Sequence, residues 1–311
     1  MQNNISRAIG LLCLTMVIIG TMDALSKLLV RDLAVGQILA VRYWMFFGVA
    51  TWMAHRSLGL KAAYRSKRPW VQLARSAILM GEMALFIQSF VYMQLADVHA
   101  IAAAAPLLVM VMAVVFLGET IGPHRKAAVA IGFLGVLMIV RPGSGVFGWP
   151  ALLPLLATFG WAAYQVLLRQ VSAYDRSETT VLYTATVGLV VYSVAGLAVW
   201  QAPDIGQWLL LAGVGVMGSA GHILLVKAYE SAPASALQPF NYGLPLWAVI
   251  VGWLVFDHIP DEWTFAGGAM VIAGGLYALW RERVRSAGRP KADDPQPPVG
   301  PPGGIRPGRD L

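Results

Sequence analysis

Two apolar runs joined by a short polar turn decide the fold: residues 98–141 read VHAIAAAAPLLVMVMAVVFLGETIGPHRKAAVAIGFLGVLMIVR. Each run has about the 20 residues that a helix needs to cross a bilayer, and the turn between them leaves room only for a hairpin. Apolar runs of this kind, bounded by charged residues, Pro or Gly, recur along the chain. They predict ten membrane-spanning helices, at residues 8–29, 36–54, 71–93, 98–118, 124–141, 148–169, 179–200, 207–229, 233–256 and 263–281. The sequence therefore predicts an all-α polytopic membrane protein.

The composition agrees with a membrane protein and excludes several kinds of site. Of the 311 residues, 58% are hydrophobic and 13% are charged, whereas soluble domains carry about 25% charged residues. The single cysteine, Cys13, excludes an internal disulfide and any zinc or iron–sulfur site built on several thiolates. The run at residues 213–218 fits the dinucleotide pattern G-x-G-x-x-G, but it lies inside an apolar span with no strand before it. We expect no bound cofactor.

The basic residues are distributed unevenly between the two sides of the membrane. With the N-terminus inside, most of the 23 Lys and Arg residues fall inside. The exceptions are Lys27, Arg31, Arg42 and Arg141. Because cytoplasmic loops carry an excess of Lys and Arg, both termini are predicted to be cytoplasmic. Topology thus explains the net charge of +7, and no nucleic-acid partner is predicted.

The ten spans divide into two halves of five. An odd number of spans per half requires the halves to lie in opposite orientations. A shift of the chain by 139 residues places Pro106 on Pro245 and Gly135 on Gly274, so we expect two inverted repeats around a central cavity. The predicted domains are a first five-helix repeat, a second, inverted repeat and a disordered Pro- and Gly-rich cytoplasmic tail, at residues 1–146, 147–285 and 286–311.

Prolines within two spans point toward the predicted cavity. Pro106 and Pro245 are predicted to kink their helices at the same depth in the two halves. A kink frees a carbonyl group, which a bilayer tolerates only where protein or water receives it. The polar residues before Pro245 extend this hypothesis, and the solute-binding residues predicted there are Gln238, Asn241 and Tyr242. A purely structural kink is the alternative, above all at Pro106.

The chain resembles the EamA-type members of the drug/metabolite transporter superfamily over about residues 5–284. The resemblance rests on Arg42, on Pro106-Leu-Leu and Phe116-Leu-Gly-Glu119 in span four, and on Gly135. It implies a ten-helix carrier of the bacterial inner membrane that works by alternating access. Many similar proteins export amino acids or other metabolites.

Two details limit what the resemblance implies. Asp23-Ala-x-x-Lys27 and Gln37-x-x-x-x-Arg42 are similar to a subset that includes S-adenosylmethionine uptake carriers, so the direction of transport is not fixed. The second half has Phe256-Asp-His258 where the family's Gly-Glu would fall. No role of that glutamate is carried over to the second half.

Few ionisable or amide side chains lie within the predicted spans. Glu82 lies in the middle of span three, with Gln88 about a turn and a half further on, and His222 lies in the counterpart span eight. A charge at the bilayer centre costs roughly 2.5 to 3.5 kcal/mol, so each such group needs a partner or a function. Glu82 and His222 could exchange protons and couple a proton gradient to solute movement. Hydrogen bonding between helices is the structural alternative, and both remain open.

A charge pair is predicted between the first two spans. Asp23 and Lys27 lie one helical turn apart on the same face of span one, and Arg42 enters span two at a similar depth. We expect Asp23 to pair with Arg42 or Lys27, because neither helix could hold these charges alone. The alternative is that Arg42 or Lys27 binds a solute carboxylate, for which the arginine fork is better suited.

The aromatic residues divide into pocket candidates and interfacial anchors. Trp161, Tyr164 and Gln165 lie in the middle of span six, the counterpart of span one, and are predicted to line a pocket for a flat or cationic solute. Tryptophans at the span ends are typical of the interfacial belt, and they are Trp70, Trp149, Trp208, Trp263 and Trp280.

The sequence favours a secondary transporter of small metabolites, above all amino acids or related compounds, with export as the favoured direction. The expected partners are the lipid bilayer, a small-molecule solute and, by hypothesis, protons. The alternatives are an uptake carrier for a metabolite such as S-adenosylmethionine, an integral-membrane enzyme and a passive channel. The enzyme is disfavoured because no paired carboxylates occur within the spans, and a channel would not need two inverted halves.

Overall fold

A computed structural model describes residues 2–117, 122–141, 148–172, 174–231 and 237–287. In this part of the chain the regular structure is helical, without strands. The helices are α1 (Gln2–Leu29), α2 (Val35–Ser57), α3 (Leu60–Ala63), α4 (Pro69–Tyr92), α5 (Leu95–Ala102), α6 (Ala105–Leu117), α7 (Pro123–Val140), α8 (Leu152–Ser172), α9 (Ser177–Ala198), α10 (Ile205–Ser231), α11 (Gly243–Phe256) and α12 (Glu262–Ala287). Short 3₁₀ turns at Trp149–Ala151 and Gln238–Tyr242 precede α8 and α11. Glu119, the predicted boundary at residues 146 and 147, and the predicted tail beyond Ala287 lie outside the described residues.

The helices occupy the ten predicted spans, so the predicted fold class of an all-α polytopic membrane protein is confirmed. By length and hydropathy alone, seven segments of the described chain can cross a membrane, and two shorter apolar helices lie at Lys126–Val140 and Phe240–Phe256. The remaining long helix, α2, carries Gln37, Arg42 and Arg56. The short helix α3 lies in the loop between the second and third spans.

Spans four and nine are interrupted at equivalent positions. Span four consists of α5 and α6, with Ala103 and Ala104 between them, and Pro106 is the second residue of α6. In span nine, the 3₁₀ turn gives way to α11, and Pro245 lies in the first turn of that helix. Proline is tolerated there because the first N–H groups of a helix have no partner within the helix. In span four, the break separates the short helix α5 from α6.

Equivalent helices of the two halves run antiparallel, which establishes the inversion. A Cβ atom added to Gly36, at the start of α2, would lie 3.1 Å from the carbonyl oxygen of Ala195, near the end of α9. At the opposite end of the pair, Ser57 donates a hydrogen bond of 2.7 Å to Glu178. Because α2 and α9 are the second helices of their halves, the halves are inverted relative to each other.

The pair formed by α7 and α12 shows the same symmetry in its glycine contacts. A Cβ atom on Gly135 would lie 2.6 Å from the Gly267 carbonyl oxygen, and a Cβ atom on Gly274 would lie 2.9 Å from the Ala128 carbonyl oxygen. The shift of 139 residues converts the first contact into the second. These four residues form the glycine seam, where the two backbones touch.

The surface of the bundle is apolar and its interior contains the polar groups. Large hydrophobic side chains point outward on several helices, including Leu209 (72% exposed), Val194 (70% exposed) and Trp52 (60% exposed). Arg75 and Gln72 are fully buried. A soluble protein shows the reverse arrangement, whereas lipid solvates an apolar surface of this kind.

The bundle has two ends, one on each side of the membrane, called the proximal and the distal side. The proximal side is the side on which α1 begins, and it includes Ser57, Ser66 and Asp175, where α2 and the α3–α4 loop contact the α8–α9 region. The distal side is the opposite side, and it includes Lys27, Met93 and Asp261.

Candidate functional site

The middle of the bundle contains a cluster of polar side chains from both halves. This interior polar cluster consists of Arg42, Tyr43, Glu82, Tyr164, Tyr192 and His222, contributed by α2, α4, α8, α9 and α10. The Glu82 carboxyl interacts electrostatically with Arg42 and Asp23, and the His222 ring interacts with Arg42. The structure therefore places Glu82, Tyr164 and His222, which the sequence singled out separately, around one region.

Close packing explains how Glu82 reaches this region. Gly160 of α8 faces it, since a Cβ atom there would lie 3.2 Å from the Cβ atom of Glu82. The absence of a side chain at Gly160 lets α4 and α8 approach at the depth of the carboxyl group. Gln88 is half-buried, six residues further along α4.

Arg42 and Glu82 interact through their charges, but neither makes a direct bond to a described residue. Both side chains are half-buried, and neither makes a hydrogen bond or an ion pair within 4 Å to another residue that the structure describes. Arg42 lies along α10, where a Cβ atom on Gly218 would be 3.1 Å from its Nε atom. Ionisable side chains inside a membrane protein are costly and mark functional sites by default. The arrangement offers a donor group and an acceptor group to a solute.

The tyrosines of the cluster are held by contacts within it. The rings of Tyr43 and Tyr192 have centroids 5.2 Å apart. The Tyr43 hydroxyl donates to the sulfur atom of Met83 at 3.1 Å, and the Tyr192 hydroxyl donates to the Met80 carbonyl oxygen. These contacts connect α2, α4 and α9 on one side of the cluster.

An aromatic pair on α8 forms another side of the interior polar cluster. The rings of Trp161 and Tyr164 are stacked, with centroids 5.4 Å apart and an interplanar angle of 27°. Trp161 is half-buried, whereas Tyr164 is 6% exposed. Gln165 is half-buried beside them. A rigid pair of this kind can receive the flat part of an aromatic solute.

Arg75 is a buried residue that the sequence analysis counted only among the basic residues of the inner side. It is 0% exposed and donates hydrogen bonds to Gln72, Tyr164, Thr180 and Thr184. One signal could have identified it, because the apolar run predicted for span three begins at residue 71 and already contains Arg75.

The predicted pair between Asp23 and Arg42 or Lys27 is wrong in its partners. The Asp23 Oδ2 atom lies 3.3 Å from the His99 Nε2 atom. Lys27 donates from Nζ to the carbonyl oxygens of Phe90, at 3.0 Å, and Met93, at 2.7 Å. The last carbonyls of a helix have no partner within it, so the end of α4 attracts a cation. The spacing of Asp23 and Lys27 gave their shared face correctly but not the neighbours on that face.

Two further contacts connect the halves on the distal side. The Asp97 Oδ2 atom on α5 lies 3.5 Å from His258 Nε2, in the loop after α11. Arg141, at the end of α7, donates to Asp261 at 2.5 Å. His99 and Asp97 both belong to α5, so this short helix bonds to α1 on one side and to the second half on the other.

Of the residues predicted around Pro245, Tyr242 packs against α12 rather than in the polar cluster. Tyr242 is 4% exposed, packs directly on Gly275 of α12, and its hydroxyl has no hydrogen-bond partner among the described residues. Asn241 is half-buried in the 3₁₀ turn. The side chain of Gln238 lies outside the described part of the structure.

A narrow cleft lies between the halves next to the cluster. It encloses about 60 Å³ and is lined by α2, α9 and α10, with His222 and Glu178 as its ionisable groups. Solute sites are usually about 300–1,000 Å³. In this conformation the cleft has room for no more than a few water molecules, so the bundle has to open further to admit a metabolite.

Asp175 joins the halves on the proximal side. Its carboxylate accepts hydrogen bonds from Ser66, from the Lys67 amide at 2.9 Å and from Gln72 at 2.8 Å. Partial burial raises the pKa of Asp175, but these hydrogen bonds together lower it further, so the pKa lies below its ordinary value. The carboxylate therefore stabilises the fold above a pH of about 4, and the contribution is lost as the pH falls through the folded pKa.

Replacement of Asp175 by asparagine should remove this pH dependence. We expect a stability loss of roughly 1 kcal/mol at pH 7, since the group is partly exposed to solvent. The loss should shrink at about pH 3.5, where the wild-type carboxylate begins to protonate. Thermal unfolding of both proteins in detergent at the two pH values measures the difference. An equal difference at both values would contradict the role of the carboxylate charge.

Comparison with known proteins agrees with this architecture. The EamA-like transporter family matches residues 6–141 and again residues 148–280. A riboflavin transporter of Rhizobium johnstonii is 31% identical over 236 residues, which cover 74% of this chain and 76% of that protein. An S-adenosylmethionine uptake transporter of Rickettsia bellii is 25% identical over 89% of this chain and 95% of its own.

A solved structure supports the fold alone. The crystal structure of a protein that is 15% identical covers 90% of this chain and 99% of its own, with a TM-score of 0.65. The family matches both halves, and the riboflavin transporter is similar over about three quarters of each chain. The protein is a small-molecule transporter of the membrane, and the chain belongs to the EamA-like transporter family.

Proposed function

We propose that this protein carries riboflavin, or a closely related flat heteroaromatic metabolite, into the cell by alternating access. The observation that carries the proposal is the 31% identity to a riboflavin transporter over three quarters of both chains. The uptake direction is the one named for the S-adenosylmethionine relative, and it replaces the export that the sequence favoured.

The interior polar cluster supports this choice of solute. Riboflavin has a flat tricyclic ring whose pyrimidine edge carries two carbonyl acceptors on either side of an N–H donor. The stacked Trp161 and Tyr164 can receive the ring. Arg42 can donate to the carbonyl oxygens and Glu82 can accept from the N–H group, because neither makes a hydrogen bond to a described residue. An amino acid without a ring would leave the aromatic pair unused.

The second candidate solute is a ring that bears an amino acid, as in S-adenosylmethionine. The observation that favours it is the opposite charge of Arg42 and Glu82. An arginine fork suits a solute carboxylate, and a carboxylate suits an ammonium or sulfonium group. The aromatic pair would then receive the adenine ring.

Two features of the structure support alternating access. The halves are inverted, so an exchange of their conformations converts an opening on one side into an opening on the other. Contacts between the halves occur on both sides of the cluster, at Asp175 and at Asp97. We further propose that the protein lies in the bacterial inner membrane with its proximal side and both termini in the cytoplasm, as its basic loops favour.

The first test is solute flux into proteoliposomes that contain the purified protein. We expect saturable uptake of riboflavin that excess unlabelled riboflavin inhibits and that free aromatic amino acids leave unchanged. Parallel assays use S-adenosylmethionine and an amino-acid panel, and a riboflavin-requiring host that cannot take up the vitamin reports the direction in cells.

Each alternative has its own outcome in this assay. Saturable flux of S-adenosylmethionine without riboflavin flux favours the second candidate. Riboflavin flux that does not saturate indicates a channel. An imposed pH gradient tests proton coupling. If the gradient stimulates riboflavin flux in the wild type and in His222→Ala but not in Glu82→Gln, Glu82 carries the coupling.

A further inference from the structure

Arg75 is an interior cation that makes no direct ion pair with a described residue. Its side chain is 0% exposed, and no carboxylate of the described chain lies within 4 Å of it. A buried arginine usually pairs with a carboxylate because removal of its charge from water costs several kcal/mol. In this protein, the hydrogen-bond partners of Arg75 are neutral oxygen atoms instead.

The guanidinium group uses four of its five N–H donors on these acceptors. Nε donates to Gln72 at 2.7 Å, and Nη2 donates to the Thr180 carbonyl oxygen at 2.5 Å and to the Thr184 hydroxyl at 3.0 Å. Nη1 donates to the Tyr164 hydroxyl at 3.3 Å. The acceptors belong to α4, α8 and α9, so Arg75 connects the first half with two helices of the second.

Tyr164 receives two interactions from Arg75. Besides the hydrogen bond to its oxygen, the guanidinium carbon lies 5.5 Å from the centre of its ring. The ring of Tyr164 in turn stacks on that of Trp161. The hydroxyl is therefore held at its end and the ring at its face, which leaves Tyr164 little rotational freedom.

We propose that Arg75 is a positioning residue for solute binding: it fixes Tyr164, and thereby the Trp161–Tyr164 pair, in the orientation that receives a flat ring. The inference rests on the proposed function. If the aromatic pair is already ordered, solute binding does not have to pay the entropy cost of ordering it. The effect of Arg75 should therefore appear as a higher affinity for the solute. Arg75 does not touch the solute and acts through Tyr164.

Two variants remove the interaction in different ways. Tyr164→Phe keeps the ring and its volume but removes the oxygen that Arg75 holds. Arg75→Lys keeps the positive charge but loses the fork. The matched control is Thr184→Val, which removes another acceptor of Arg75 without changing Tyr164 and leaves Nη2 bonded to Thr180.

The measurements are KM and maximal rate of riboflavin flux, together with the quenching of riboflavin fluorescence on binding, which reports stacking on aromatic side chains. We expect Tyr164→Phe and Arg75→Lys each to raise KM by up to about tenfold, because the solute then has to order the aromatic pair on binding. The maximal rate should change little and the quenching at saturation should decrease. The double variant should be no worse than the single ones, since both break the same contact. Thr184→Val should keep KM within about twofold.

The outcomes separate this inference from the proposed function. A wild-type protein that neither binds nor moves riboflavin overturns both. A wild-type protein that does so, with Tyr164→Phe at the wild-type KM and quenching, overturns only the positioning role. Equal loss in Tyr164→Phe and Thr184→Val would indicate a general packing role and would also overturn it. If Arg75→Lys is not recovered as folded protein, Tyr164→Phe with Thr184→Val still decides the question.

Discussion

Arg42→Gln should reduce riboflavin transport and increase the stability of the protein at the same time. The side chain is half-buried, and no described residue bonds to it. If Arg42 donates to the solute, its loss removes hydrogen bonds from a charged group and raises KM by about 10- to 100-fold. Because no described residue makes a hydrogen bond or a close ion pair with Arg42, a shorter, neutral side chain also removes from the folded state part of the cost of burying this charge. Flux in proteoliposomes and thermal unfolding in detergent measure the two effects.

A matched arginine on the same helix provides the control. Arg56 lies at the proximal end of α2, exposed and with its guanidinium carbon 5.6 Å from the centre of the Trp52 ring. Arg56→Gln should leave KM unchanged and should not raise the stability. Wild-type KM in Arg42→Gln would remove Arg42 from the solute site, and lower stability would show that the guanidinium supports the fold.

Gly267→Ala should destabilise the bundle strongly. A Cβ atom at this position would lie 2.5 Å from the Gly135 carbonyl oxygen and 2.7 Å from the Ile139 side chain. The first of these atoms belongs to a helix backbone and cannot move away without separating α7 from α12. Overpacking of this kind costs roughly 1–3 kcal/mol, and the thermal unfolding temperature in detergent should fall accordingly.

The chain contains glycines that control for the change in residue type. Gly48 on α2 and Gly81 on α4 are also helical, and a Cβ atom at either would meet nothing within 4 Å. Alanine favours helix over glycine by up to about 1 kcal/mol, so Gly48→Ala and Gly81→Ala should be neutral or slightly stabilising. A similar shift in all three variants would contradict the close contact at the glycine seam.

The fold could be predicted because lipid imposes a simple rule on the sequence. A span needs an uninterrupted apolar stretch, so the lengths of the runs and the charges between them indicated the helices directly. The repeat was visible because backbone breaks at Pro106 and Pro245 and close contacts at Gly135 and Gly274 require particular residues. The need for proline at a helix break or for glycine at a close helix contact can be read from the sequence of one helix or of a hairpin.

The site could be predicted only in part, because partners in space depend on packing that one helix does not reveal. The depth of Glu82 and the aromatic character of α8 were readable, and the structure places Glu82 and Tyr164 in one cluster. The spacing of Asp23 and Lys27 fixed their common face but gave no information about His99 or the end of α4. The burial of Arg75 was missed because its acceptors lie on three helices, and no single stretch of sequence shows that these helices meet.

The symmetry of the glycine seam has a consequence for how such a molecule can move. The contact of Gly135 with Gly267 and that of Gly274 with Ala128 exchange places when the two halves exchange roles. In the proposed alternating-access cycle, the contact line between α7 and α12 is therefore the same in both open states, and no contact there has to break. These two helices can keep their contact throughout while the other helices move relative to them.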